Sequence, residues 1–242
     1  MAFAATSDRP IRGAVATLGV SDRITFLRKT YAHLGGALIA WPILTALLFK
    51  FAPGFSLAFS KFALSGYNWL IVIGLFMGAG YIAARLATSE TSRGLQYLGL
   101  GIEVAAWTML LQPILWVLVT QFNQPMAMLA QAATITLAIF VGLTLTVFLT
   151  KKDFTFMGGF LKICTFAALG VIVASILFGF SLGALFCGAI ILLMAGYILY
   201  QTSLIMSQFP PTAYVAAALM LFSTVATLFW NVLQLLMSLR RD

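Results

Sequence analysis

The chain has 242 residues, of which 62% are hydrophobic and only 8% are charged. A soluble globular domain is nearer half apolar and a quarter charged, so these few charges cannot cover a compact protein in water. The composition excludes a soluble enzyme and predicts an all-α integral membrane protein covered by lipid. The net charge is +8, but the basic residues lie almost entirely outside the apolar runs, which argues against nucleic acid as a partner.

The first thirty residues form a polar, arginine-bearing tail. Its longest apolar stretch, Ala14 to Val20, is shorter than the core of a signal peptide and is followed by further charges. We therefore predict an uncleaved and mostly disordered tail over residues 1–30, whose last turns enter the first helix. Ser21 is a candidate cap for that entry.

Seven apolar runs follow, and each is long enough to cross a bilayer core of about 30 Å, which takes roughly 20 helical residues. A tight hairpin is predicted at Gly179–Gly183, because one continuous helix there would be about twice the bilayer thickness. These runs predict a single transmembrane domain over residues 31–242. The runs are Tyr31–Phe51, Tyr67–Leu86, Leu95–Val119, Met128–Leu149, Phe160–Phe180, Leu182–Met206 and Ala213–Leu239.

The distribution of Lys and Arg predicts the orientation, since these residues accumulate on the cytoplasmic side of a membrane protein. Ten lie on the side of the N-terminal tail, and four lie on the other. We therefore predict a cytoplasmic N-terminus in a plasma membrane. The alternative is a last segment that re-enters without crossing, which would return Arg240 and Arg241 to the cytoplasm. The ten are Arg9, Arg12, Arg23, Arg28, Lys29, Arg85, Arg93, Lys151, Lys152 and Lys162, and the four are Lys50, Lys61, Arg240 and Arg241.

Small residues are expected where membrane helices pack closely. Gly74 and Gly78 form a GxxxG pair, and Gly188 with Gly196 gives the sixth run a small face. We predict that both sets are helix–helix contact surfaces.

Glu103 lies well inside the third apolar run. An ionisable residue at membrane depth is costly, on the order of 3 kcal/mol or more, and often marks a functional site. One hypothesis is a cation or proton site. The other is a protonated glutamic acid that is hydrogen-bonded to a neighbouring helix, and the sequence leaves both open.

Polar residues form a stripe along each of the last two runs. Thr224, Thr227, Asn231 and Gln234 are spaced three, four and three apart and share one helical face. Tyr197, Gln201 and Gln208 have a similar spacing on the sixth run. The two stripes predict facing surfaces, either a hydrogen-bonded seam, which we favour, or the lining of a wet cavity.

No catalytic, metal or cofactor site is predicted. Gly179–Gly183 matches the GxSxG pattern of a serine nucleophile, but the sole histidine, His33, is expected at the other membrane face from Ser181. We interpret the match as a glycine-rich turn. Cys164 and Cys187 lie in apolar runs without a CxxC or Cys/His cluster. We therefore expect no enzymatic activity.

Four stretches resemble the Bax-inhibitor superfamily, in particular its bacterial YccA-like branch. They are Phe26–Tyr31, the predicted break at Gln112–Leu115, Thr150–Gly159, and the closing run from Gly196–Thr202 through Phe229. The resemblance implies seven transmembrane helices, six of which surround the last. It also implies a location in a bacterial inner membrane.

For some relatives, the resemblance implies a pH-sensitive calcium leak in which two facing aspartates on the sixth and seventh helices share a proton. The equivalent positions here are Gln201 and Thr224, neither of which titrates, so that latch cannot operate. The YccA-like branch implies a different role, an interaction of the N-terminal tail with a membrane-bound ATP-dependent protease that degrades membrane proteins.

Two functions follow. The missing acid pair favours a modulator or binding partner of the membrane protease, acting in membrane quality control or stress response. The alternative is a leak channel for calcium or another cation. Its polar path would use Glu103, Gln201, Thr224 and Asn231.

Overall fold

The protein was analysed as a computed structural model, which describes residues 13–89, 92–150 and 152–240. Within these ranges the chain forms eight α-helices and two short 3₁₀ helices, Val15–Thr17 and Thr155–Met157, with no strand. The α-helices are α1 (Val20–Phe51), α2 (Pro53–Ala63), α3 (Asn68–Ala87), α4 (Arg93–Gln121), α5 (Pro125–Thr150), α6 (Gly158–Phe178), α7 (Ala184–Gln208) and α8 (Tyr214–Leu239). The predictions for Arg9, Arg12, Lys151 and Arg241 lie outside the described residues.

Seven of these helices, all except α2, are long and apolar enough to cross a membrane. The predicted number of transmembrane helices is confirmed. The hairpin between α6 and α7 is also confirmed: Gly179 has a φ of 72°, a left-handed conformation that favours glycine. The break predicted at Gln112–Leu115 is wrong, because α4 continues through Pro113.

The short helix α2 was not predicted. The sequence Ala52-Pro53-Gly54 does end α1, but Pro53 then begins a new helix, because proline at the first helical position sacrifices no backbone hydrogen bond. Ser56 and Ser60 on α2 are buried. Ser56 Oγ donates to Gln112 Oε1 of α4 at 2.6 Å. The polar face of α2 therefore points into the protein.

The last helix, α8, occupies the centre of the bundle. It packs against α1, α3, α4, α5 and α7, while α6 lies further out against α7. In an apolar stretch of α8, 72% of the residues are buried inside the protein, whereas 6% are buried in the corresponding stretch of the span that contains α6. Small residues such as Ala217 and Ala218 allow this close packing. The central position of the C-terminal helix is confirmed, with α1, α3, α4, α5 and α7 packed against it and α6, the sixth outer span, packed on α7.

Helix α8 also runs the full depth of the bundle. Its 26 residues span about 39 Å at 1.5 Å per residue, more than the hydrocarbon core. At its end, Arg240 Nη2 donates to Gln131 Oε1 at 2.7 Å, and Gln131 lies near the start of α5. The two termini of α8 are therefore at opposite ends of the bundle, which contradicts the re-entrant alternative.

The described part of the N-terminal tail packs on the bundle. Val15 is completely buried, and its backbone N–H donates to the Phe209 carbonyl at 3.0 Å. The first transmembrane helix begins at Val20 rather than near Tyr31. Ser21 does not cap it, since Gly19 occupies the capping position and Ser21 lies inside the first turn. The division of the chain at residue 30 stays a prediction.

The predicted glycine contacts are only partly correct. A Cβ added to Gly74, Gly78 or Gly188 would meet no atom within 4 Å, so these three do not form close contacts with the described residues. Gly196 does, since its Cβ would lie 2.8 Å from Leu161 Cδ2. The tightest approach is at Gly99, which the sequence analysis did not single out.

Candidate functional site

The candidate site is a cavity of about 490 Å³ lined by α3, α4, α7 and α8 and by Thr165 of α6. Glu103, Gln201, Thr224 and Thr227, all predicted as candidate residues, line it together. Glu103 lies about 15 Å along α4 from its first residue. The cavity is therefore at the depth of the hydrocarbon core.

Glu103 is the acidic group of this cavity, and only 3% of its surface is exposed. Its Oε1 accepts hydrogen bonds from Ser223 Oγ of α8 and from Trp107 Nε1, the latter at 3.2 Å. Its Oε2 is buried and has no hydrogen-bond partner among the described residues. This oxygen faces Gly80, whose absent side chain leaves space beside it, since a Cβ there would lie 3.6 Å away.

Gln201 and Thr224 are in direct contact. Thr224 Oγ1 donates to Gln201 Oε1 at 2.8 Å, and both side chains are buried. The predicted polar stripes of the last two helices therefore do face each other at this level. This hydrogen bond joins α7 and α8, as the predicted seam would. Gln201 and Thr224 also line the cavity, as the other alternative predicted.

The remaining members of the stripe on α8 do not reach this cavity. Asn231 Nδ2 donates to the Thr227 carbonyl of its own helix at 2.8 Å. Gln234 lines a separate cavity of about 530 Å³ together with Ser181, at the end of the bundle where α7 begins. The polar stripe of α8 is therefore divided between two cavities, with Asn231 bonded to its own helix between them.

An aromatic cluster lies one helical turn beyond Glu103 along α4. The Trp41 ring is 5.9 Å from the Trp107 ring and 5.3 Å from the Phe229 ring, and Phe76 is 5.0 Å from Trp107. Phe76 lines the candidate site, whereas Trp41, Trp107 and Phe229 line neither this cavity nor the one that contains Gln234.

A second space of about 640 Å³ borders the site, and Arg93, Gln96 and Gln208 are in its lining. Thr88 and Phe209 line both spaces. The second space lies beside the candidate site, at the end of the bundle at which α4 and α8 begin.

A comparison with known protein families identifies the chain at this point. The family model described as inhibitor of apoptosis-promoting Bax1 matches residues 23–241. The chain belongs to the Bax inhibitor family.

Three relatives illustrate the breadth of this family. The chain is 28% identical to Bax inhibitor 1 of Schizosaccharomyces pombe, over 94% of this chain and 82% of the relative. It is 28% identical to protein lifeguard 4 of Mus musculus, over 92% and 88%. It is 27% identical to the Golgi anti-apoptotic protein of Vaccinia virus (strain Lister), over 92% and 89%. No solved structure matches the chain.

Two residues that contact Glu103 were missed in the sequence analysis of this Bax inhibitor family chain. Ser223 directly precedes Thr224, but it lies about 100° around the helix from it and does not follow the stripe's spacing. Trp107 is four residues after Glu103, so their contact was visible from helical spacing. The contact with Ser223 joins residues 120 positions apart and has no local signal.

Ser181 and His33 do not form a catalytic pair. Ser181 lines the cavity near the start of α7. His33 stacks on Tyr97 near the opposite end of the bundle, with ring centroids 5.5 Å apart. The GxSxG match is therefore a turn between two helices.

Proposed function

We propose that this protein provides a leak pathway for a small cation, calcium foremost, and that Glu103 is the group that attracts the cation. The supporting observation is Glu103 Oε2, a buried carboxyl oxygen without a partner among the described residues, on a side chain that lines a cavity at membrane depth. An acid in this position is costly. No Lys, Arg or His occurs among the described residues that line the cavity, so a passing cation would supply the missing partner.

The surroundings of Glu103 suit a hard cation. Calcium prefers oxygen ligands, and hydroxyl or amide oxygens of Gln201, Ser223, Thr224 and Thr227 belong to the cavity lining. A single carboxylate would bind weakly, which conduction requires because the ion must also leave.

Replacing Glu103 by Gln tests this proposal. Glutamine keeps the shape of the side chain and can still accept the hydrogen bond from Ser223, but it removes the charge. We expect calcium flux into proteoliposomes to fall at least about tenfold, since losing 1.4 kcal/mol of attraction already has that effect. Unchanged flux in Glu103→Gln would contradict the proposal and favour a structural glutamic acid.

The matched control is Thr136→Val on α5. Thr136 is also buried at membrane depth, and its hydroxyl has no partner among the described residues. It does not line the cavity. Valine has nearly the same shape as threonine, so flux should be retained, and an equal loss in both variants would point to a general effect on folding.

The second candidate is a modulator or binding partner of a membrane-bound ATP-dependent protease, which the sequence alone favoured. It is supported by the neutral Thr224–Gln201 hydrogen bond at the positions of the family acid pair. A variant that lacks residues 2–12 tests this second function. Its association with the protease and its calcium flux in proteoliposomes are both measured. A deletion to residue 20 is unsuitable, because it would remove the buried Val15. Lost protease association with unchanged flux in Glu103→Gln would select the modulator.

We also propose, from the positions of Lys and Arg, that the N-terminus is cytoplasmic. The resemblance to the YccA-like branch implies a bacterial inner membrane, and we propose that the role is not enzymatic. Ser7→Cys and Ser181→Cys, each in a chain whose Cys164 and Cys187 are replaced by alanine, should react with an impermeant thiol reagent from opposite sides. Labelling of both from one side would refute this topology.

A further inference from the structure

A second feature lies on the outside of the bundle, apart from the candidate site. It is an open groove of about 460 Å³ between α1 and α4. Small and apolar side chains form most of its walls, among them Gly36, Ala37, Ala40, Leu100, Gly101 and Val104. A Cβ added to Gly36 or Gly101 would meet no atom within 4 Å, so space remains along the groove.

The side chains along this groove change in polarity with depth. Lys29, His33 and Gly36 succeed one another on one face of α1, at spacings of four and three residues. On α4, the corresponding face carries Arg93 and Tyr97 before Leu100 and Gly101. Lys29 and Arg93 each lie one helical turn before a residue that lines the groove, His33 on α1 and Tyr97 on α4. Two cations, polar rings and an apolar floor therefore follow one another with depth, which is the order of chemistry along a phospholipid.

The two cations meet at one aromatic ring. Lys29 Nζ lies 5.4 Å and Arg93 Cζ lies 4.8 Å from the centroid of the Tyr214 ring. Arg93 also donates to the Thr212 carbonyl at 3.1 Å and to Gln96 Oε1 at 3.4 Å. None of these contacts among the described residues carries a negative charge. An anion between Lys29 and Arg93 would thus offset the repulsion between them.

Hydrogen-bonding groups occupy the level below the cations. His33 Nδ1 donates to the Lys29 carbonyl at 2.7 Å, and His33 Nε2 lies 3.1 Å from Tyr97 Oη. Tyr97 is 46% exposed, so it remains accessible from the groove. A histidine and a tyrosine at this depth are suited to the glycerol and ester region of a lipid.

We propose that this groove is a binding site for one anionic phospholipid. The phosphate lies between Lys29 and Arg93, the glycerol region lies beside His33 and Tyr97, and an acyl chain follows the groove past Gly36 and Gly101. A free phosphate would use only the cationic end and would leave the apolar groove open. The cations at one end and the apolar walls further along the groove therefore favour a phospholipid over a free phosphate.

Native mass spectrometry of the detergent-solubilised full chain tests this site. The probes are phosphatidylglycerol, phosphatidylcholine with the same acyl chains, and glycerol phosphate as the headgroup alone. We expect phosphatidylglycerol to be retained at concentrations at least about tenfold lower than phosphatidylcholine, because two cations contribute to its binding. Glycerol phosphate should not displace it. Equal retention of both lipids, or full displacement by glycerol phosphate, would overturn the proposal.

Two sets of variants locate the binding. Lys29→Gln should weaken phosphatidylglycerol retention about fivefold, the effect of one cation near a membrane surface. Gly36→Leu combined with Gly101→Leu should fill the groove and abolish retention. Gly142→Leu on α5 is the matched control, since Gly142 also has no atom within 4 Å of an added Cβ. An equal loss in Gly142→Leu, or full retention in Lys29→Gln, would refute the site even if the double variant did not fold.

Discussion

Replacing Gln201 and Thr224 together by aspartate is expected to make the calcium leak rise steeply between about pH 6 and 8. The two side chains already meet at 2.8 Å, so the introduced carboxyl groups would share one proton at the lower pH. Two unit charges about 4 Å apart repel by about 4 kcal/mol at an effective dielectric constant of 20. That repulsion separates the two proton dissociations by about three pH units, and loss of the shared proton would push α7 and α8 apart.

The control for this variant is the pair Gln201→Asn and Thr224→Asn, which has the same size without the charge. Its leak should stay nearly independent of pH, as should that of the native chain, whose Gln201 and Thr224 do not titrate. Calcium flux in proteoliposomes at several pH values measures all three proteins. A flat response in the aspartate variant would show that this contact does not control the path. A steep response in the native chain would instead identify Glu103 as the sensor.

The second large effect is expected for stability. Gly99 of α4 packs directly on the backbone of α3: an added Cβ would lie 2.5 Å from the Ala83 carbonyl oxygen and 2.8 Å from the Ala87 nitrogen. Backbone atoms cannot move aside as a side-chain end can, so Gly99→Ala must separate the two helices. We expect a loss of about 3 kcal/mol in the free energy of unfolding, towards the upper end for overpacked sites.

Gly101→Ala provides a close control for this substitution. Gly101 lies on the same helix, but a Cβ there would meet no atom within 4 Å. Alanine favours a helix over glycine by up to about 1 kcal/mol, so Gly101→Ala should be neutral or slightly stabilising. Unfolding of both variants by SDS in mixed micelles measures the difference. Equal midpoints would contradict the close α3–α4 packing.

Misassigned glycines show where sequence analysis of a membrane protein is weakest. In water, a buried helix face is apolar and an exposed one is polar, so the pattern marks the face. In lipid both faces are apolar, and small residues can occur on either. Gly74 and Gly78 therefore had the spacing of a contact surface, although they are exposed to the surroundings of the bundle. Gly99, the tight contact, carried no distinguishing signal.

The amino-acid sequence by itself determined the class of fold, the seven crossings and the hairpin at Gly179, because the length and apolarity of a helix that spans lipid are local properties. It also identified Glu103 as an acid at membrane depth and predicted that the helical faces carrying Gln201 and Thr224 meet. Only the tertiary structure showed which oxygen of Glu103 accepts a hydrogen bond from Ser223 and which is left without a partner among the described residues. That distinction depends on how far each helix is rotated and displaced against its neighbours, which is set by the packing of the whole bundle.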